Sequence, residues 1–229
     1  MSERMLCAIP ARIGSKRLAR KNLLPLAGKP MLVYSIEAAR HSGQLDEIFV
    51  CTDDEEIAGV ARRHGASVPF LMPPELCGDL VSSHTPCAHL ARHLGNHDSL
   101  ICLQPSSPLR SAADIRAACQ RFQQDGLDFL VSVTPIDPHY FHWAVHQPDQ
   151  EEGWRLFFGE RFMQERPLLP PVYRPNGAIK IARLQALEQT GHFFGKNLGV
   201  LEMPEERSVH VATRFDLELC EFLLSKVPA

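Results

Sequence analysis

Five cations fall within ten positions near the start of the chain: Arg12, Lys16, Arg17, Arg20 and Lys21. Gly14 and Ser15 lie among them and let the backbone bend close to a ligand. The segment follows a short apolar run, Met5 to Ile9, which predicts a buried strand. A dense cationic loop at the carboxyl end of a first strand is where open α/β sheets bind phosphorylated ligands. The G-x-x-x-x-G-K-[ST] and G-x-G-x-x-G patterns are both absent, so the loop is neither a Walker loop nor a dinucleotide fingerprint. What it offers is electrostatic: neutralising a triphosphate and stabilising charge on departing pyrophosphate. Five cations cannot all face one ligand. Arg12, Lys16 and Lys21 are the expected contacts, with Arg20 facing solvent.

Histidines form a second constellation. His89, His93 and His97 recur at i, i+4 and i+8, with His84 nearby. On one helix face they could bind Zn²⁺ or Ni²⁺. No Asp, Glu or Cys completes the set, and Gly95 ends the helix near the third, so a solvated histidine face is the expectation. His139, His142 and His146 are expected to pack within their own segment. Asp53-Asp-Glu-Glu56 reads as a helix start whose acids favour the positive dipole end.

The elements that must position the loop alternate. Strands are predicted at 5–9, 46–51, 67–70, 99–104 and 128–133, and helices between them. One helix opens with Pro30 in its first turn, and another carries Ile57, Val60 and Ala61 before Gly65. Further helices cover about 83–94 and 111–124, the latter capped by Ser111 with Asp114 three residues on. Strands alternating with helices imply an α/β fold: a doubly wound, mainly parallel, Rossmann-like sheet. The rhythm breaks at Thr134-Pro-Ile-Asp-Pro-His. Residues 135–175, rich in Pro and aromatics, read as an inserted arm covering a partner subunit or the site. Regular structure resumes at 178–181 and 200–202 and ends in a helix over about 214–225. The whole, 1–229, reads as a single domain.

Composition narrows the class of ligand. The 229 residues are 45% hydrophobic and 22% charged, as in a globular protein with a full core. A net charge of −3 argues against nucleic acid, because the basic loop is local. Seven cysteines without a C-x-x-C pair suit a reducing compartment. The start, Met1-Ser-Glu-Arg, has no long apolar run, and no stretch approaches membrane-spanning length. A cytoplasmic protein without membrane contact is expected.

Residues 9–30, Ile-Pro-Ala-Arg-x-Gly-Ser-Lys-Arg-Leu-x-x-Lys-Asn-x-x-x-Leu-Ala-Gly-Lys-Pro, resemble the start of the acylneuraminate cytidylyltransferases, the CMP-sialic acid synthetases. The likeness continues through Thr52–Ile57, Pro74–Asp79, Ser82-Ser83, Leu103–Arg110 and Arg174–Ile179. It implies CTP as donor and an acidic nine-carbon 2-ulosonic acid as acceptor, with a divalent cation (Mg²⁺ or Mn²⁺) and a homodimer. By position it implies that Arg12, Ser15, Lys16, Lys21, Asn22, Ser82 and Ser83 hold CTP. Gln104, Arg166, Asn176, Phe193 and Phe194 would face the sugar, Arg166 pairing with its carboxylate. The Tyr173–Ile179 run and Met203–Ser208 are similar to sialic- and legionaminic-type members, not to the pseudaminic type.

Two places depart from that pattern. Where the family carries an Asp-x-Asp pair that binds the metal, this chain has His210 and Ala212. Where it carries an Arg near the nucleotide, this chain has Met72. The metal's protein ligands are therefore unknown from sequence. Asp216, Glu218 or Asp53-Asp54 could assist the triphosphate oxygens, or His210 could hold a softer cation. Two other readings stay open: a homologue that binds nucleotide or sugar acid without turnover, and a nucleotidyltransferase for a different sugar or nucleotide.

Overall fold

The computed structural model describes residues 3–148 and 153–226. Positions 149–152 of the arm and Met1 and Ser2 of the amino-terminal reading lie outside the described residues. The chain begins with β1 (Met5–Pro10), whose apolar run is buried on both faces as a central parallel strand requires. The cationic loop follows, then a small antiparallel pair, β2 (Pro25–Leu26) and β3 (Lys29–Pro30). Helix α1 (Met31–Ser42) starts after Pro30 and ends at Gly43, whose φ of 66° closes it in the left-handed region. Next come β4 (Ile48–Cys51) and α2 (Glu55–Arg63). The Asp54 side chain accepts from the Ile57 amide and caps α2, with Glu55 and Glu56 in its first turn.

Further along lie α3 (His84–Leu94), β5 (Ser99–Cys102) and α4 (Ala112–Gln124). Helix α4 opens with the expected capping box, Ser111 and Asp114 bonding reciprocally. Then β6 (Phe129–Ile136) enters the arm, which holds α5 (Pro138–His142) and the two-stranded ribbon β7 (Val145–His146) and β8 (Arg155–Leu156). The chain returns through β9 (Val172–Arg183), α6 (Leu184–Thr190), β10 (Leu198–Glu202) and α7 (Arg214–Lys226).

Six strands form one sheet in the order β10-β6-β9-β5-β1-β4. The pairs β1–β4, β1–β5 and β6–β10 are parallel; β9 runs antiparallel between β5 and β6. Side chains from α1, α2 and α4 bury Cys7, Ile9, Ile101 and Ile181 on one face. Side chains from α3 and α6 cover Leu6, Ala8, Leu100 and Ala182 on the other. Both faces are thus clothed by helices, as the doubly wound reading expected. A third cluster ties α7 to β2 and α1 through Leu26, Met31, Val211, Leu217 and Cys220.

The 67–70 strand does not form. Ser67 makes a single parallel bridge to Phe49, and Pro69, lacking an N–H, cannot extend it. The predicted 178–181 strand is the inner part of the much longer β9. Pairing of β9 with β6 shifts register between Val131 and Val133, where Pro175 and Gly177 (φ 75°) fit a bulge and not a regular ladder. Beyond the bulge the two strands continue together from Val133–Pro175 to Ile136–Val172 and form the stem of the arm.

Within the arm His139 stacks on Trp143 with centroids 4.0 Å apart. His142 lies 4.1 Å from the Phe162 ring and 3.2 Å from the Pro170 carbonyl, and His146 meets the Phe157 ring. On α3, His89 and His93 both contact the Phe70 ring, whereas His97 lies beyond the helix end at Leu94. The three-histidine face is therefore broken. Among the described residues no helix is long and apolar enough to cross a membrane.

Candidate active site

The carboxyl ends of β1, β4 and β5 open into a cavity of about 320 Å³, the size range of small-ligand sites. Pro10 ends β1 and Ala11 follows it, Cys51 comes from β4, and Gln104, Pro105 and Ser106 from the turn after β5. Arg12, Gly14, Ser15, Arg17, Lys21 and Asn22 enter from the cationic loop, and Leu76 to Gly78 with Val81 to Ser83 close one side. His210 closes the other.

Backbone anchors hold the loop open over the sheet. The Ala11 amide donates to the Cys51 carbonyl at 2.8 Å, and the Ile13 amide donates to Asp53 Oδ1 at 3.0 Å. Asn22 Nδ2 donates to the Arg12 carbonyl at 2.9 Å, which folds the loop back on itself. Arg20 takes the left-handed conformation (φ 52°) and pairs with Glu56 at the surface, which turns it away from the cavity. Lys21 Nζ donates to the Val211 carbonyl at 3.0 Å.

On the opposite wall, Gln104 Nε2 donates to Ser83 Oγ at 2.8 Å, so two expected ligand contacts support each other. Gln104 is itself held from below by Arg110, a buried guanidinium. It donates to the Gln104 carbonyl at 3.3 Å, the Ala178 carbonyl at 2.7 Å and Ser35 Oγ at 2.6 Å. Burial pushes the Arg110 pKa down to about 10, still charged at neutral pH. Asn176 is a second support. Its Nδ2 donates to Ser208 Oγ at 2.9 Å and its Oδ1 accepts from the Ala178 amide at 3.1 Å. It thereby fastens the bulge of β9 to the segment that carries His210.

The electrostatics have one sign. Burial, with Arg17 and Arg12 nearby, lowers the Lys21 pKa. Burial, with Lys21 and Arg17 nearby, lowers that of His210 to about 4, so its imidazole is neutral at pH 7. No carboxylate lines the cavity among its described residues, while Arg12, Arg17 and Lys21 do. Cations that disfavour one another before a ligand arrives are suited to a polyanion, which relieves the repulsion as it binds. Outside the lining, Asp79 pairs with Arg12 at 2.9 Å and with Lys16 at 3.0 Å. Lys16 holds the Asp79 pKa below its usual range, Arg12 assisting.

Of the residues read from sequence, Arg12, Ser15, Lys21, Asn22, Ser82, Ser83 and Gln104 meet in this cavity. Five do not line it, each for a physical reason. Lys16 is 77% exposed and points to Asp79. Asn176 is spent on the internal bonds just described. Phe193 is 2% exposed, packed in the core with the His84 ring edge-on at 5.8 Å. Phe194 faces outward. Arg166, 63% exposed, sits in the arm and pairs with Asp137 at 3.1 Å. Met72, placed by resemblance near the nucleotide, is buried in the apolar cluster that includes Cys51 and Cys87.

Two residues were missed. Arg17 lines the cavity in place of Lys16, a choice between adjacent cations that only the path of the backbone decides. Ser106, whose Oγ lies 3.4 Å from His210 Nδ1, follows from the turn after β5. The carboxylates proposed to help a metal are committed elsewhere. Asp53 holds the Ile13 amide and Asp54 caps α2. Asp216 accepts from the Ala212 amide, the Thr213 amide and Thr213 Oγ1 in a capping box of α7, and Glu218 pairs with Arg214. A hard cation such as Mg²⁺ favours carboxylate oxygens, and none of these four lines the cavity.

Comparison with known proteins adds relatives to this geometry. The cytidylyltransferase family profile matches residues 6–152. An N-acylneuraminate cytidylyltransferase of Escherichia coli O18:K1:H7 is 34% identical over 96% of this chain, which spans 52% of that relative's length. The chain thus covers about half of some curated relatives. It covers 96% of a CMP-N,N'-diacetyllegionaminic acid synthase of Legionella pneumophila, at 34% identity. It covers 95% of a pseudaminic acid cytidylyltransferase of Campylobacter jejuni, at 31%. A solved CMP:2-keto-3-deoxy-manno-octonic acid synthetase complexed with CTP superposes with a TM-score of 0.76 over 98% of this chain and 99% of its own. At 19% identity that likeness concerns the fold.

Proposed function

The chain belongs to the cytidylyltransferase family, and from that premise we propose that it transfers CMP from CTP to a nine-carbon 2-ulosonic acid, releasing pyrophosphate. The observation that carries the reading is a cavity lined by Arg12, Arg17 and Lys21 and by no carboxylate. The acceptor's anomeric oxygen attacks the α-phosphorus, forming a new O–P bond as the bridging bond to the β-phosphate breaks. Pyrophosphate takes the bonding electrons, and the hydroxyl proton passes to solvent or base.

In this scheme Arg12, Arg17 and Lys21 neutralise the phosphates and stabilise the leaving pyrophosphate. Ser83 and Gln104, bonded to each other, orient the ligand at the opposite wall with Ser82 beside them. The sialic- or legionaminic-type acceptor is preferred on the Tyr173–Ile179 run, although relatives named for all three sugar types lie within a few per cent identity. No carboxylate lines the cavity for a protein-held metal, so the charge compensation falls to Arg12, Arg17 and Lys21.

We also propose a cytoplasmic homodimer that makes precursors of surface glycans. Seven free cysteines suit a reducing compartment. Exposed Tyr140, Trp154, Phe157 and Leu168 on the arm suit a partner surface. Arg166, which does not line its own cavity, would then serve the partner's acceptor carboxylate. A pyrophosphate-release assay with CTP and a panel of ulosonic acids tests the reading, with Lys21→Ala as the control. The second reading, binding without turnover, is favoured by His210 and Ala212 and would show as saturable CTP binding without release.

A further inference from the structure

Three cations and an imidazole line one cavity at the carboxyl ends of the strands. Arg12, Arg17, Lys21 and His210 line the cavity, and no Asp or Glu does. Lys21 reaches across to the Val211 carbonyl, between His210 and Ala212, the two positions that align with the carboxylate pair of the resemblance. The nearby acids are not spare. Asp216 accepts three hydrogen bonds at the start of α7, Asp53 holds the Ile13 amide, and Asp54 caps α2. Asp79 is paired with Arg12 and Lys16, and Glu56 with Arg20. Among the described residues no group of three His, Cys, Asp or Glu side chains could hold a metal ion.

The charge argument follows directly. An imidazole and a methyl group in place of two carboxylates make this part of the cavity two units more positive. A divalent cation entering there would meet Lys21 and Arg17 with no carboxylate in the lining to offset their charge. A nucleoside triphosphate stripped of metal carries four negative charges and meets cations already in place. We infer that this cavity binds its nucleoside triphosphate as the free, metal-stripped anion, Arg12, Arg17 and Lys21 supplying the positive charge that a protein-held divalent ion would otherwise bring. The inference rests on the functional reading above and deepens it by naming the ligand's form.

Calorimetric titration of CTP into the full chain, once in excess EDTA and once in excess Mg²⁺, tests it. Affinity in EDTA is expected to equal or exceed that in Mg²⁺. The double variant His210→Asp, Ala212→Asp is expected to reverse the order, binding about tenfold or more weakly in EDTA. Electron paramagnetic resonance of Mn²⁺ without nucleotide gives a readout independent of turnover: no bound Mn²⁺ in the native chain, bound Mn²⁺ in the double variant. If the variant does not fold, the native titrations and spectra decide alone. Tenfold or greater weakening of native binding in EDTA, or Mn²⁺ bound by the native chain on its own, overturns the inference while leaving the functional reading intact. No CTP binding in either condition overturns both.

Discussion

Lys21 and Val211 stand 190 positions apart, yet the lysine ammonium donates to the valine carbonyl at 3.0 Å. This contact joins the cationic loop after β1 to the segment before α7 that carries His210. It also keeps a charged lysine beside His210 and Arg17, where burial and like charge lower its pKa. The cavity before ligand binding is therefore electrostatically unfavourable to itself, and an anion relieves it.

Lys21→Ala should lower pyrophosphate release by about 100-fold or more, the scale of losing one pre-positioned donor to developing negative charge. The half-exposed surroundings predict only a small shift in thermal midpoint. Steady-state kinetics beside a thermal melt separates the two; equal losses of activity and folded fraction would assign Lys21 a structural role.

Asp79 pairs with Arg12 and Lys16, so it competes with any phosphate those cations bind. Asp79→Asn should tighten CTP binding several-fold, because it removes a competing charge from a solvent-exposed pair. The gain should shrink as salt is raised. Weaker binding in the variant would mean that Asp79 positions the loop instead.

Arg110 is the buried strut beneath Gln104. Arg110→Met leaves the Gln104 and Ala178 carbonyls and Ser35 without their donor, at a cost of about 2–4 kcal/mol. For a domain of this size the melting midpoint should fall by roughly 4–16 °C. The surviving enzyme should show a raised KM through Gln104. A variant melting like the native chain would contradict the strut.

His210 is held neutral, its pKa pushed to about 4 by burial and by Lys21 and Arg17, while an unfolded histidine titrates near 6.5. Between those values the unfolded chain binds the extra proton, so stability falls as pH drops from about 6.5 to 4 and this contribution is constant above that window. The loss is at most about 3 kcal/mol. His210→Gln should flatten this decline in urea midpoints measured across the window. Asp114 acts at lower pH: burial opposes its ionisation, but bonds from Arg207 and Ser111 keep its pKa below normal. Its stabilisation is present above about pH 3.8 and is lost as pH falls through the depressed value. An unchanged slope in His210→Gln would contradict the buried, neutral imidazole.

Much of this was legible from residue order. The apolar runs of β1, β4 and β5, the Ser111–Asp114 cap and the cationic loop all carry local signals that the fold keeps. What escaped depended on distant neighbours. Regular structure is expected to resume only at 178–181, yet β9 already begins at Val172, and its register shift between Val131 and Val133 lets the strand carry Pro175 and Gly177. Arg17 and Lys16 are chemically alike and adjacent; the αL residue Arg20 and the Asn22 anchor set the loop path, and that path sends Arg17 inward. The resemblance places Asn176 at the sugar, whereas its side chain is taken up by Ser208, 32 positions away. Phe193 is core for a similar reason, its ring taken up by neighbours from α3 and β9.

The central claim is that the cations behind β1 grip a triphosphate for cytidylyl transfer. Phosphate-coupled detection of pyrophosphate from CTP and a sialic- or legionaminic-type acid tests it most directly, comparing the native chain with Arg12→Ala. Release by the native chain that depends on both substrates, and falls by about 100-fold in the variant, is the predicted result. Release that is absent from the native chain, or unchanged by neutralising Arg12, would contradict it.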